Sequence, residues 1–391
     1  MGYVTMNKGY EYRIYPNAEQ EVLFAKTFGC VRFVWNQMLD AKMKDYENTQ
    51  GKLGVTPAQY KGQYEWLKEV DSLALANAQL NLNKAYAGFN KQQEFKHSKK
   101  KMAQAEKNGK ELTFYDLEKH PKFKSKKRGK QSYTTNNQNG TIAIAGGKVK
   151  LPKVGLVKMN QHRAIGIGER IKTATVTKRP SGKYYVSIMV EYEQYIPAVS
   201  LDKGKAVGLD YASNGFYVDS QNVEADYPRY YRKSQEKLEN EQRKLANMEY
   251  GSANYEKQRI KVARVHEKVA NQRRDWLHKE SAKLADRYDY IFVEDINLRS
   301  MAQSLKLGKS TNDNGFGMFR LMCEYKMVRR GKVFRKVGRT FPSSKKCRFC
   351  GTLNSGLTLS DRVWTCACGA VLNRDENAAI NILNEGLRQI G

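Results

Sequence analysis

The chain has 391 residues, 40% of them hydrophobic, and carries 69 Lys plus Arg against 40 Asp plus Glu, a net charge of +29. The length allows two or three domains with cores of their own. A solvated surface does not need such a charge excess, so a polyanionic partner is expected, with nucleic acid ahead of a membrane surface. No apolar run of transmembrane length and no secretory leader is read, so no membrane role and a cytoplasmic setting are expected.

In chain order, residues 8–15 (KGYEYRIY) alternate as a strand that Pro16 stops. Asn17 and Gln20 predict a capping box for a helix running through Phe24, Phe28, Val31, Val34, Trp35 and Leu39. Helical patterns follow over about 57–68 and from Leu73 to Phe89, their apolar stripes reading as helix–helix core. Next comes a basic run, KHPKFKSKKRGK, which leads straight into a β-rich stretch. A solvated loop is the ordinary reading of such a run. Beside strands and among the chain's 24 Tyr, Lys122, Lys124, Lys126, Lys127 and Arg128 are also candidates to grip phosphates while rings stack on bases. Turns at Gly146-Gly147 and at Pro180-Ser181-Gly182 predict two hairpins, so residues 119–195 read as an antiparallel barrel or sandwich that takes in the first strand.

Beyond Pro197 the pattern changes. Ala206 to Leu209 is a short apolar strand ending in Asp210; a turn at Ser213-Asn214-Gly215 and a second strand to Asp219 follow. Two long charged helices are expected over about 228–248 and 255–288, with Asn271, Arg273 and Arg274, further candidates for nucleic-acid contact, crowding one turn of the second. Tyr290 to Val293 is another apolar strand, ending in Glu294, and residues 300–319 read as a mobile loop that includes Asn314, Gly315 and Gly317. A helix over about 319–330 and a strand over 332–337 complete this part.

Four of the six cysteines fall near the end, as Cys347-x-x-Cys350 and Cys366-x-Cys368, each pair followed by a glycine. Two short Cys pairs on adjacent turns supply the tetrahedron that zinc needs. The alternative is a disulfide pair or idle thiols, but Cys30 and Cys323 lie singly in apolar settings, as in a reducing compartment. The second pair is one residue tighter than the usual spacing. Soon after it, Asp375 stands at the mouth of a helical pattern, so the clip delivers a carboxylate to a helix start.

Asp210, Glu294 and Asp375 thus end or begin regular elements, an arrangement that suits carboxylates holding a pair of magnesium ions for phosphodiester hydrolysis. Packed together they repel by several kcal/mol at an effective dielectric of about 20. Taken singly, each is an ordinary strand-end or helix-start acid, and Asp219, Asp295 and Glu376 are rivals. Asp295 follows Glu294 in a strand and so points to the other face.

Several stretches in order resemble the TnpB family of transposon-encoded nucleases: YRIYPNAEQEVLFAKTFGCVRFVWN, KFKSKKRGKQSYTTNN, VGLDYASNGF, FVEDINL, FPSSKKCRFCG and NRDENAAINIL. The family consists of RNA-guided DNA endonucleases related to the type V CRISPR effectors. The resemblance implies an α+β multidomain fold: a β-barrel wedge domain, a helical recognition domain, and a RuvC nuclease domain of RNase H-like fold with a zinc-binding insert. Mapped onto this chain, residues 1–16 are the first wedge strand, 17–115 the recognition domain and 116–200 the rest of the wedge. Residues 201–340 carry the first two RuvC motifs and a lid loop, 341–370 the zinc insert, and 371–391 the third motif. Asp210, Glu294 and Asp375 fall on the catalytic triad with two magnesium ions, the four C-terminal cysteines on one structural zinc, and Asn314, Gly315 and Gly317 on the lid. The implied partners are a guide RNA and a double-stranded DNA target, chosen by guide pairing next to a short flanking motif. Ala212 stands where the family has glycine.

The alternatives are a compact type V CRISPR effector of the same chemistry, and a guided DNA-binding repressor that does not cut; retention of all three acids argues against the latter. An unguided junction resolvase would not need the large basic N-terminal half. The oligomeric state is left open.

Overall fold

A computed structural model describes residues 2–90, 97–127, 129–212, 215–297, 315–358 and 360–391. The chain divides into two compact units, residues 5–193 and residues 1–4 with 194–391.

The first unit is a seven-stranded sheet with helices packed on it. Its strands are β1 (Tyr3–Tyr15), β2 (Gln131–Asn136), β3 (Ala143–Ala145), β4 (Lys148–Leu151), β5 (Gly155–Asn160), β6 (Arg170–Lys178) and β7 (Tyr184–Tyr195), in the order β2-β6-β7-β1-β5-β4-β3. β1 joins this sheet, as expected, lies at its centre between β7 and β5, and starts five residues before the expected strand. Tyr10, Tyr12 and Ile14 alternate inward along it. The two predicted hairpins form, β3–β4 and β6–β7.

The helices are α1 (Ala18–Lys44), α2 (Tyr46–Thr49), α3 (Pro57–Gln63), α4 (Ser72–Asn90) and α5 (Lys99–Lys107). The Asn17–Gln20 capping box opens α1 as predicted. Phe24, Phe28, Leu75 and Leu82 from α1 and α4 join Tyr133, Val176 and Val186 of the sheet in one core.

The second unit is a three-layer sandwich. β8 (Ala206–Tyr211), β10 (Tyr290–Glu294) and β11 (Val333–Val337) run parallel, and β9 (Tyr217–Asp219) runs antiparallel to β8, giving the order β11-β10-β8-β9. Alternate residues serve opposite faces. Val207, Leu209, Ile291 and Val293 pack with Leu277 and Leu284 of α7 (Ala253–Arg287) and Phe319 and Met322 of α8 (Phe316–Arg329). Ala206, Tyr290 and Phe292 pack on the other side with Ile382 of α9 (Arg374–Arg388). The long charged pair predicted from sequence is α6 (Tyr230–Ala246) and α7. A small hairpin, β12 (Val363–Thr365) with β13 (Val371–Asn373), precedes α9.

The sequence expectation of a loop up to residue 319 is corrected in part. α8 starts at Phe316, after Gly315 in its N-cap position, so Gly317 lies in the first helical turn. No described helix is long and apolar enough to cross a membrane.

Candidate active site and cysteine cluster

Strand register brings two of the predicted acids together. Leu209 pairs with Val293 across the parallel β8–β10 ladder, so the next residues, Asp210 and Glu294, lie side by side at one edge of the sheet, Glu294 as the last residue of β10 and Asp210 one residue before the end of β8, which runs on to Tyr211 rather than stopping at the acid. Their parity places both on the face that α9 covers. Asp210 follows Gly208, and Glu294 follows Phe292, by the two residues that restore a strand's face.

α9 reaches that face because two residues lack side chains. A Cβ on Gly208 would lie 2.2 Å from the Ala379 carbonyl oxygen and 2.6 Å from the Leu383 nitrogen; one on Gly386 would lie 2.2 Å from the Phe292 ring. From the Gly208–Ala379 contact, two residues along β8 advance about 6.6 Å to Asp210. Four residues back along α9 advance about 6 Å to Asp375. The helix start thus comes near the strand end, close enough for the Asp375 charge to act on Asp210.

The electrostatics agree. Burial first, then the nearby Glu294 and Asp375 carboxylates, push the Asp210 acid well above its ordinary range, while the Arg374 guanidinium opposes them. Burial also raises Glu294, with help from Asp295. The three acids are nevertheless not drawn into one tight knot. Among the described residues, the group of metal-ligating side chains whose ligand atoms all lie within 4.8 Å of one another is the set of four cysteines. Asp375 is instead held by arginines: Arg362 Nη1 donates to Oδ2 at 3.0 Å, and Arg374 Nε and Nη2 donate to Oδ1 at 3.2 Å.

The rival acids have other partners. Asp219 is buried, and its Oδ1 accepts the amides of Gln221 and Val223, closing a turn. Glu376 is paired with Arg348 at 2.6 Å. Asp295 pairs with Arg339 at 3.1 Å and lies 3.7 Å from Arg320 of α8, on the face away from α9. Arg320 also donates to the Glu294 and Ile296 carbonyls, so it anchors the end of β10.

Cys347, Cys350, Cys366 and Cys368 converge with Sγ–Sγ separations of 3.5 Å (Cys350–Cys366) and 3.9 Å (Cys347–Cys368). A tetrahedral zinc with bonds of about 2.3 Å sets its sulfurs about 3.8 Å apart. The cluster could therefore bind a structural zinc, tighter second pair included. The Thr352 hydroxyl, 3.3 Å from Cys350 Sγ, and the Thr352 amide bring that thiol down to about 6, toward the thiolate that a metal needs.

Two asparagines that sequence reasoning passed over fix this cluster to α9. Asn377 accepts the Arg348 amide and donates to the Lys346 carbonyl; Asn381 donates to the carbonyls of Ser343 and Lys346. Both lie within two turns of Asp375, so the knuckle that carries Cys347 also steadies the helix start. The NAAIN spacing, two amides four residues apart on one helix side, was the signal available in the sequence.

The predicted nucleic-acid contacts divide. In the first unit, Trp35 Nε1 donates to the Lys122 carbonyl, and Asn36 exchanges two hydrogen bonds with the Lys124 backbone. The basic run is thus stitched to α1 here, and the Lys124 ammonium lies 3.5 Å from the Trp35 ring centroid. Lys122 turns back to the Tyr115 carbonyl, while Lys126 and Lys127 are exposed. On α7, Arg274 lies 3.5 Å from the Asn271 amide oxygen, and Arg273 packs against Gly315 at the start of α8. Arg128, Asn314 and the Ser213-Asn214 turn lie outside the described residues.

Residues 187–305 match a family described as a probable transposase (OrfB_IS605), residues 6–52 its helix-turn-helix domain, and residues 316–382 a Cas12f1-like TNB domain. A protein of Streptomyces pristinaespiralis named as an RNA-guided DNA endonuclease is 31% identical over 98% of this chain and 90% of its own length. InsQ of Escherichia coli strain K12, named likewise, is 27% identical over 97% of this chain and 92% of its own. The fold resembles the Cas12f1 chain in a Cas12f1–sgRNA–target DNA complex, with a TM-score of 0.53 at 13% identity over 97% of this chain and 99% of that one. The chain belongs to the OrfB_IS605 transposase family, whose members its sequence motifs resemble under the name TnpB.

Proposed function

We propose that this chain is an RNA-guided DNA endonuclease that hydrolyses its target at Asp210, Glu294 and Asp375. One observation carries the reading: strand register and the Gly208–Ala379 contact direct three acids from distant elements to one edge of the sheet. Burial and mutual repulsion raise Asp210, and carboxylate oxygens are the donors that magnesium takes, so the residues fit a divalent cation. Bound there, two such ions would supply an activated water and a stabilised leaving oxygen. The chain's own part is to set the acids. β8 and β10 hold Asp210 and Glu294 in register, Arg320 pins the end of β10, and the cysteine cluster steadies α9 behind Asp375.

On this reading the sandwich is a RuvC domain of RNase H-like type, interrupted by a zinc insert at 341–370. The seven-stranded sheet is the wedge barrel, and α1 to α5 form the recognition part. The proteins named above as RNA-guided endonucleases, and the net charge of +29, support a guide RNA and duplex DNA as partners. The test is to purify the protein with its RNA, sequence that RNA, and present a matching duplex with and without magnesium. Cutting that follows the RNA's variable end supports the proposal; selective cutting by RNA-free protein overturns it.

A further inference from the structure

Arg374 is an unusual residue for its place. It is the first residue of α9, at the positive end of the helix dipole, where a cation is disfavoured. Adjacent residues on a helix do not normally face each other. Yet its guanidinium folds back on its neighbour, with Nε and Nη2 both 3.2 Å from Asp375 Oδ1, and Nη1 3.4 Å from the Thr358 carbonyl. Its side chain is only 13% exposed. Its charge also reaches Asp210, against the repulsion from Glu294 and Asp375. Arg362 takes the other Asp375 oxygen, so both are occupied.

A largely buried guanidinium at a helix start needs acids around it, and the acids need the guanidinium. Three ionised carboxylates against two arginines leave one negative charge uncompensated. A divalent ion that ligates Asp375 Oδ1 meets a cation already seated on that atom.

We infer that Arg374 is an internal counter-ion: it holds the acid cluster together when no divalent cation is bound, and it gives up Asp375 Oδ1 when one binds. Arg374 is then a positioning residue that sets the affinity of the site for its ion. The inference rests on the reading of the three acids as a cation site.

The test uses full-length protein freed of divalent ions other than zinc, with manganese as the probe, titrated by the electron paramagnetic resonance signal of the free ion. Arg374→Gln should bind manganese at least about tenfold more tightly than wild type, because a competing charge at contact distance is gone. In metal-free buffer it should melt below wild type and recover with manganese. Unchanged or weaker manganese affinity in folded Arg374→Gln overturns the inference. Should the variant not fold, the wild type decides. Its Arg374 Nε–H resonance, assigned with Arg374→Lys, should shift when magnesium is added, and an unmoved resonance at saturation overturns the inference. Asp210→Asn separates the two readings. If it binds manganese as wild type does, the acids are not the cation site and the functional reading falls. If it loses manganese while Arg374→Gln changes nothing, only the counter-ion role falls.

Discussion

The two proposed ligand sets of the second unit are built in opposite ways. The four thiols come from two knuckles within one short segment and already stand at zinc spacing, with Sγ–Sγ separations of 3.5 and 3.9 Å. The three carboxylates come from β8, β10 and α9; Glu294 and Asp375 both act on Asp210, and Asp375 is in the hands of arginines. Local loops close at small entropic cost. Acids gathered from distant elements repel until a cation sits among them. A structural site can thus be assembled by the fold alone, whereas a site of acids stays poised for its ion. Four predictions break or sharpen this contrast.

The largest effect is on rate. Asp210→Asn should lower magnesium-dependent cleavage of a guide-matched duplex by orders of magnitude while gel-shift binding survives. Stability should move the other way. Because Asp210 is raised in the folded state, the stability it contributes is present below its unfolded value and is lost as pH rises through the folded one. Metal-free wild type should therefore melt below Asp210→Asn at neutral pH, by about 1.4 kcal/mol for each unit of elevation, and the two should converge in acid. A variant that cuts normally, or one less stable at pH 7 than at pH 4 relative to wild type, would break the assignment.

On the thiol side the order of effects reverses. Cys347→Ser should first cost fold: zinc content falls from one per chain toward none, and amides in 343–373 exchange faster, since metal binding there is folding energy. Cleavage falls as a consequence, because Asn377 and Asn381 lose the Lys346 and Ser343 carbonyls that brace α9. Fully folded, active protein without zinc would overturn the site.

The contrast also explains what was legible in sequence. Local signals were: the Asn17–Gln20 box, the glycine turn between β3 and β4, the paired cysteines, and two apolar strand runs each followed by an acid. What brings the acids together was not, because it depends on long-range packing with no periodicity of its own. Gly208 against Ala379 and Gly386 against Phe292 are invisible until α9 is docked. The stitching of the basic run to Trp35 and Asn36 is a pairing some ninety residues apart, while charge patterning alone suggested a solvated loop. The helix α5, nine residues with a single buried position, has too weak an apolar face to be read.

Gly208→Ala tests that packing. The new methyl meets backbone on both near sides, so no side chain can rotate away, and the cost should be about 1–3 kcal/mol by urea unfolding. Cleavage should fall as α9 is pushed off β8, while zinc content stays at one per chain, since the cysteine knuckles do not touch Gly208. Loss of zinc with the acids still active would invert the picture of which set depends on docking.

The smallest effect belongs to Asp295, the acid next to Glu294 in sequence. It lies toward α8, half-exposed, paired with Arg339 and near Arg320, neither of which approaches Asp375 by any bond. Such a pair is worth about 0–1 kcal/mol, so Asp295→Asn should leave stability nearly unchanged. Its charge does reach Glu294, whose acid it helps to raise after burial. Removing that charge brings Glu294 down, so the carboxylate needed for cation binding forms at lower pH. The acid limb of the cleavage profile should shift toward lower pH by a fraction of a unit, with the plateau rate within about twofold of wild type. The measurement is a pH–rate profile on a guide-matched duplex for both proteins. A collapse of the plateau would place the second catalytic acid on the wrong face of β10, and with it the register argument that brings Glu294 beside Asp210.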